Sequence, residues 1–135
     1  MIESVTAAVA RGLSTAGGRP VRLTAVVAKR DGSTIPIDVE VAGERLRAFA
    51  ADTDDPAVLA WWIADRVIDI VQEDLYHGEP FPPCPGHAHP AVVEVCEDRA
   101  YLCCPLNRAE PLLYLHGGRE ADEVPQAREA WPGGR

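Results

Sequence analysis

No stretch of this chain approaches the ~18 to 20 consecutive apolar residues that a membrane-spanning helix needs. The opening residues, Met1-Ile2-Glu3, lack the basic flank and apolar core of a secretory signal. We therefore expect a cytoplasmic protein with no membrane partner. Basic charge is also scarce: 13 Lys and Arg stand against 21 Asp and Glu, a net charge of −8, and Lys29 is the sole lysine. Such a balance repels nucleic acid as well as anionic membranes, so a phosphate backbone is not an expected ligand.

The signatures of the common enzyme classes are missing too. There is no GxGxxG or Walker loop, no GxSxG elbow, no HExxH, and no basic patch interleaved with aromatics. Metal-assisted chemistry is the one enzymatic route left open, with Glu94 or an aspartate as its base. CxxC is absent as well. Since neighbouring cysteines form only a strained bridge, Cys103-Cys104 makes a poor redox pair. No internal repeat is present.

What is there suits one domain of ordinary size: 135 residues, 47% of them hydrophobic. We place it at residues 1–116, followed by a flexible tail, 117–135, that is polar and rich in Gly and Pro apart from Trp131. Val5, Val9 and Leu13 recur at helical spacing and stop at Gly17-Gly18, which predicts a short amphipathic helix over Ile2 to Ala16. Three alternating runs follow: Val21 to Val27, Ile35 to Val41, and Leu46 to Ala50. A period of two means strands with one buried face, and Asp31-Gly32 and Gly43 suit tight hairpins between them. Pro36 suggests that the second run is an edge strand or lies near a strand start.

Asp55 is placed to cap a helix that Pro56 opens. From Ala57 to about Tyr76, Leu59, Trp62, Ile63, Val67, Ile70 and Val71 form one apolar stripe that can lie across the three strands. Trp61, Ile68 and Leu75 fall off the stripe, toward a later hairpin or a partner. Five prolines between Gly78 and Pro90 impose a stiff loop. Short β-type runs on either side of Glu97-Asp98-Arg99 then predict a hairpin, and Leu112 to Leu115 a last strand or packed extension. The expected fold is α+β: a three-stranded antiparallel meander packed by a long helix, with a small C-terminal zinc-ribbon-like hairpin.

The chemistry concentrates in that hairpin. Cys84-Pro85-Gly86-His87-Ala88-His89-Pro90 and Cys103-Cys104-Pro105-Leu106-Asn107 bracket it, and Cys84 with His87 has the spacing of one metal-binding knuckle. Cys104 to Asn107 repeats the spacing, with its last ligand replaced by a poor one. His89, Cys103, His116 or solvent can fill the vacancy. If Val93 and Val95 face the core with Tyr101 and Cys103, Cys104 lies on the other face, and we choose it over Cys103. The candidate ligands are thus Cys84, His87, His89 and Cys104. Soft sulfur with imidazole favours Zn2+, with other transition metals as alternatives. Cys96 and Cys103 read as small core residues, and His77 as a solvated one.

Eight acids between Asp52 and Glu79 face Arg66 alone, an acidic helix suited to a basic protein partner or simply solvated. Two readings follow. One is an accessory or protein-interaction domain whose metal fixes the Pro-rich loop and hairpin. The other is a small metalloenzyme with an open three-ligand Cys/His site, in which bound water becomes the nucleophile.

Overall fold

The computed structural model describes residues 1–117. The tail expected over 117–135 lies outside the described residues, apart from Gly117. The first helix, α1, spans Ile2–Gly17 and buries Val5, Val9, Leu13 and Ala16. It stops where Gly18, at φ 76°, donates its N–H to the Ser14 carbonyl across 3.0 Å, a left-handed cap that glycine adopts without steric cost.

Strands β1 (Val21–Ala25), β2 (Thr34–Val41) and β3 (Glu44–Ala51) form an antiparallel sheet in that order. Its inner face is set by the alternation: Val39 pairs with Leu23 and Leu46, and Ile37 with Ala25 and Ala48. All four apolar residues of the β2 run are buried while Asp38 opposite is exposed. The turn from β2 to β3 is the tight one expected, with Ala42 and Gly43 both at positive φ. The connection from β1 to β2 is not: it holds a 3-10 turn, Val27–Lys29, and Asp31 then accepts from the amides of Ser33 and Thr34. Nor is β2 an edge strand. It is central, and tolerates Pro36 because the Pro36 carbonyl, which accepts from Val26, faces the side where β1 has already ended.

Helix α2 spans Pro56–Asp74. The Asp55 side chain accepts from the amides of Ala57 and Val58, and Pro56 opens the first turn, where a missing donor costs nothing. Small residues widen its buried face beyond the expected stripe: Ala57, Ala60 and Ala64 are as buried as Leu59, Ile63, Val67 and Val71. The helix can therefore be packed on two sides.

The second side belongs to another sheet, in which the expected hairpin is joined by a third strand. Strands β4 (Val92–Cys96), β5 (Arg99–Cys103) and β6 (Leu113–His116) form a second antiparallel sheet of three strands. Helix α1 packs on α2, β1 and β6, and α2 on β3, β4 and β5, so both sheets share the helices and one buried cluster. Gly12 makes this possible on α1, since a Cβ there would collide with Leu115 on β6. Each fully buried aliphatic side chain in this cluster contributes about 1.5 to 3 kcal/mol. The assembly is mixed α+β, with no helix long and apolar enough to cross a membrane among the described residues.

Register corrects one further expectation. Val93 pairs with Leu102 and Val95 with Ala100, so Tyr101 and Cys103 share the opposite face with Glu94 and Val92. Cys103 is nonetheless fully buried, because loop 104–112 folds back: Tyr101 donates its hydroxyl to the Arg108 carbonyl, and Leu112 its amide to the Leu102 carbonyl.

Candidate metal centre

The Pro-rich loop that carries the first ligands hangs from a stem fixed by α2. Gln72 donates to the carbonyls of Tyr76 and Glu79 at 2.6 and 2.7 Å, and accepts from the amide of Phe81 at 2.7 Å. Phe81 is completely buried, against Tyr76 and against Gly17, where a Cβ would stand 2.7 Å from its ring. Neither Gln72 nor Phe81 stands out in the sequence, as one is a polar helix residue and the other a lone aromatic among prolines. Above this anchor Ala91 donates to the Pro82 carbonyl, and Pro83 bridges Pro90, closing the loop at its base.

The Cys-Pro turns form as their spacing predicts, one inside the closed loop and the other just after β5. His87 donates its amide to the Cys84 carbonyl across 3.0 Å, and Asn107 does the same to Cys104 across 2.9 Å. The Cys84 amide in turn donates to the His89 carbonyl at 3.0 Å, so the loop doubles back and brings the second histidine beside the cysteine. Leu106 donates its amide to Cys104 Sγ at 3.4 Å. Both turns sit at the open end of the β4–β5 hairpin, beyond the terminal pair of Val92 and Cys103.

There the ligand atoms of Cys84, His87, His89 and Cys104 all lie within 4.8 Å of one another. His87 Nδ1 stands 3.3 Å from Cys84 Sγ and 3.6 Å from Cys104 Sγ. A tetrahedral ion with ordinary bond lengths to sulfur and nitrogen separates such atoms by about 3.5 Å. His89 carries a further mark. Its Nδ1 lies 3.2 Å from the Pro90 carbonyl, which only accepts, so the ring proton belongs there and Nε2 presents a bare lone pair. Among the described residues that Nε2 is buried without a partner, a position costly for a neutral imidazole unless a cation or proton donor meets it. The donor set, two sulfurs and two imidazoles, is compatible with a metal ion.

The site is asymmetric with respect to solvent. Cys84 is buried, His89 and Cys104 are half-buried, and His87 is exposed. Burial, with the Cys104 thiol beside it, pushes the Cys84 thiol up to about 11. A cation between the sulfurs reverses that preference, because the thiolate is the ligating form.

The other residues considered for the site lie elsewhere. Cys103 is buried on the face opposite Leu102, its thiol pushed up to about 11 by burial and by Glu94. His116 is on β6, opposite Ala100. Glu94, the candidate base, is held in an ion pair by Arg108. Trp61, off the main stripe, faces β4, to whose Val93 it donates its indole N–H. Trp62 is stacked edge-on against it and covered by Arg66.

No protein-family model, curated protein or solved structure matches the chain. What the protein does must be read from this cluster and the surface around it.

Proposed function

We propose that the chain is a small zinc-stabilised accessory or protein-interaction domain, with the ion held by Cys84, His87, His89 and Cys104. The observation that carries this reading is the buried Nε2 of His89, partnerless among the described residues, in a cluster drawn from the loops that precede β4 and follow β5. Two Cys-Pro turns meeting at the open end of a hairpin resemble the knuckles of a zinc ribbon, and a sulfur and imidazole set suits zinc over hard cations. Four protein donors leave no position for substrate, which supports a structural ion over the open three-ligand site of a hydrolase. The ion's role is to offset the ordering cost of a loop that has little apolar area to bury.

The fixed surface then serves recognition. Of the acids flanking and lining α2, Asp52 is taken by Arg30 and Asp55 by the helix cap, while Asp69, Glu73, Asp74 and Glu79 remain exposed. Such a strip favours a basic protein partner. Four free cysteines support work in a reducing compartment such as the cytoplasm.

Cobalt substitution tests the coordination. Tetrahedral absorption with thiolate charge-transfer bands and no exchangeable water is the expected result. A five-coordinate spectrum with bound water overturns the structural role in favour of the metalloenzyme.

A further inference from the structure

The reading of the cluster as a zinc site, on which this inference rests, leaves open what governs whether the ion stays. Three observations bear on it. The sulfurs of Cys84 and Cys104 lie within the same 4.8 Å cluster, so they are neighbours. Their exposures differ: Cys84 is 2% exposed, whereas Cys104 is half-buried and within reach of a small solute. The loops that carry them are the two that the ion would tie, so a covalent bridge between these sulfurs replaces the same connection. The remaining cysteines are badly placed to compete. Cys103 is fully buried, and Cys96, although exposed, lies at the turn end of the hairpin, away from both sulfurs.

We propose that the site is a peroxide-responsive switch, in which oxidation joins Cys84 to Cys104 and expels the ion. The Cys104 thiolate attacks one peroxide oxygen, the O–O bond breaks, and the leaving hydroxide takes a proton to become water. The resulting sulfenic acid is then attacked at sulfur by the Cys84 thiolate; the S–S bond forms and a second hydroxide departs, again as water. Two electrons pass from the two sulfurs to the peroxide, and the ion leaves with only two imidazoles to hold it. Exposure assigns the order, Cys104 first and Cys84 as the resolving thiol. Imidazole ligands alone retain zinc poorly beside thiolates, so release is coupled to bridge formation.

The test uses the full chain purified with its metal, beside a Cys96→Ser/Cys103→Ala variant in which only the two proposed partners remain. Zinc content is measured first. Hydrogen peroxide is then added with a chromogenic chelator present, and tryptic peptides are mapped without reduction. The expected result is that both proteins release zinc at the same rate, with about one bridge formed per ion released. In the variant, residues 67–99 and 100–108 become disulfide-linked, and a reductant followed by zinc restores the ion. Zinc that stays bound while Cys96 of the parent chain is oxidised overturns the switch and leaves the metal reading standing. Release accompanied by sulfinic acid at Cys104 without a bridge also overturns it. Protein that holds no zinc at the outset overturns both.

Discussion

Trp61 on α2 donates its indole N–H to the main-chain carbonyl of Val93 on β4, across 2.9 Å. Val93 lies on the outer strand of the second sheet, where an unpaired carbonyl would otherwise face solvent or another chain. One side chain thus ties down the outer strand of the hairpin whose open end carries the Cys/His cluster. The tryptophan pair divides its work accordingly: Trp61 reaches the hairpin, and Trp62 lies under Arg66.

Replacing Trp61 by Phe keeps most of the packed ring and removes the donor. A loss of about 1 kcal/mol is expected, with the Val93 carbonyl left to weaker partners. Urea unfolding followed by far-UV circular dichroism measures it. An unchanged midpoint would mean that water serves Val93 equally well.

Gly12→Ala separates helix propensity from packing. Alanine is the better helix former by up to about 1 kcal/mol, but its Cβ would collide with Leu115 Cδ2 in the buried cluster. Overpacking of this kind costs about 1 to 3 kcal/mol, so net destabilisation is expected despite the improved propensity. A melting temperature above that of the parent chain would show that Leu115 can move aside freely.

Gln72→Ala touches no candidate ligand yet removes three hydrogen bonds from the stem of the metal loop. We expect a loss of about 1 to 3 kcal/mol in stability. Zinc affinity should fall about tenfold, since supporting contacts orient the ligands. Chelator competition on folded protein reads the affinity. Equal affinity in both chains would mean that the loop is pre-formed without Gln72.

The pH dependence has opposite signs with and without metal. In the metal-free fold the Cys84 and Cys103 thiols are both raised from 9.0 to about 11, so the fold holds these protons more tightly than the unfolded chain does. The resulting stability is fully present below about pH 9 and is lost as the pH rises toward 11. Metal binding runs the other way, because two thiols must lose protons for the ion. Affinity should climb by up to about a hundredfold per pH unit while both remain protonated. Thermal unfolding of chelator-treated protein between pH 8 and 11, and zinc competition between pH 6 and 8, test the two arms.

Much of this could be read directly from residue order, and the misses share a cause. Alternation in Ile35 to Val41 set the sheet face, Asp55-Pro56 set the start of α2, and clustering in Cys84 to His89 drew attention to the metal loop. These are local signals, carried by spacing within one element. What failed was long-range pairing. Pro36 reads as marking an edge strand or a strand start, and it lies near the start of a central strand whose neighbour β1 ends early. The face of Cys103 depends on a register set by the Glu97-Asp98 turn, and a slip of one residue exchanges the faces. The expected hairpin becomes a sheet because β6, legible only as a last strand or a packed extension, pairs with β5 across loop 104–112. Gln72 and Phe81 act through contacts no periodicity announces.

Cys84, His87, His89 and Cys104 are proposed to hold one zinc ion that orders the loop and hairpin. Elemental analysis by plasma mass spectrometry of untagged protein never exposed to chelator tests it, with Cys84→Ser and Cys104→Ser alongside. Zinc at about one ion per chain is expected in the parent protein. Both variants should lose it, with weakened or unfolded hairpin structure. Metal at background in the parent chain, or a Cys84→Ser protein that lacks zinc yet keeps full stability, would contradict it.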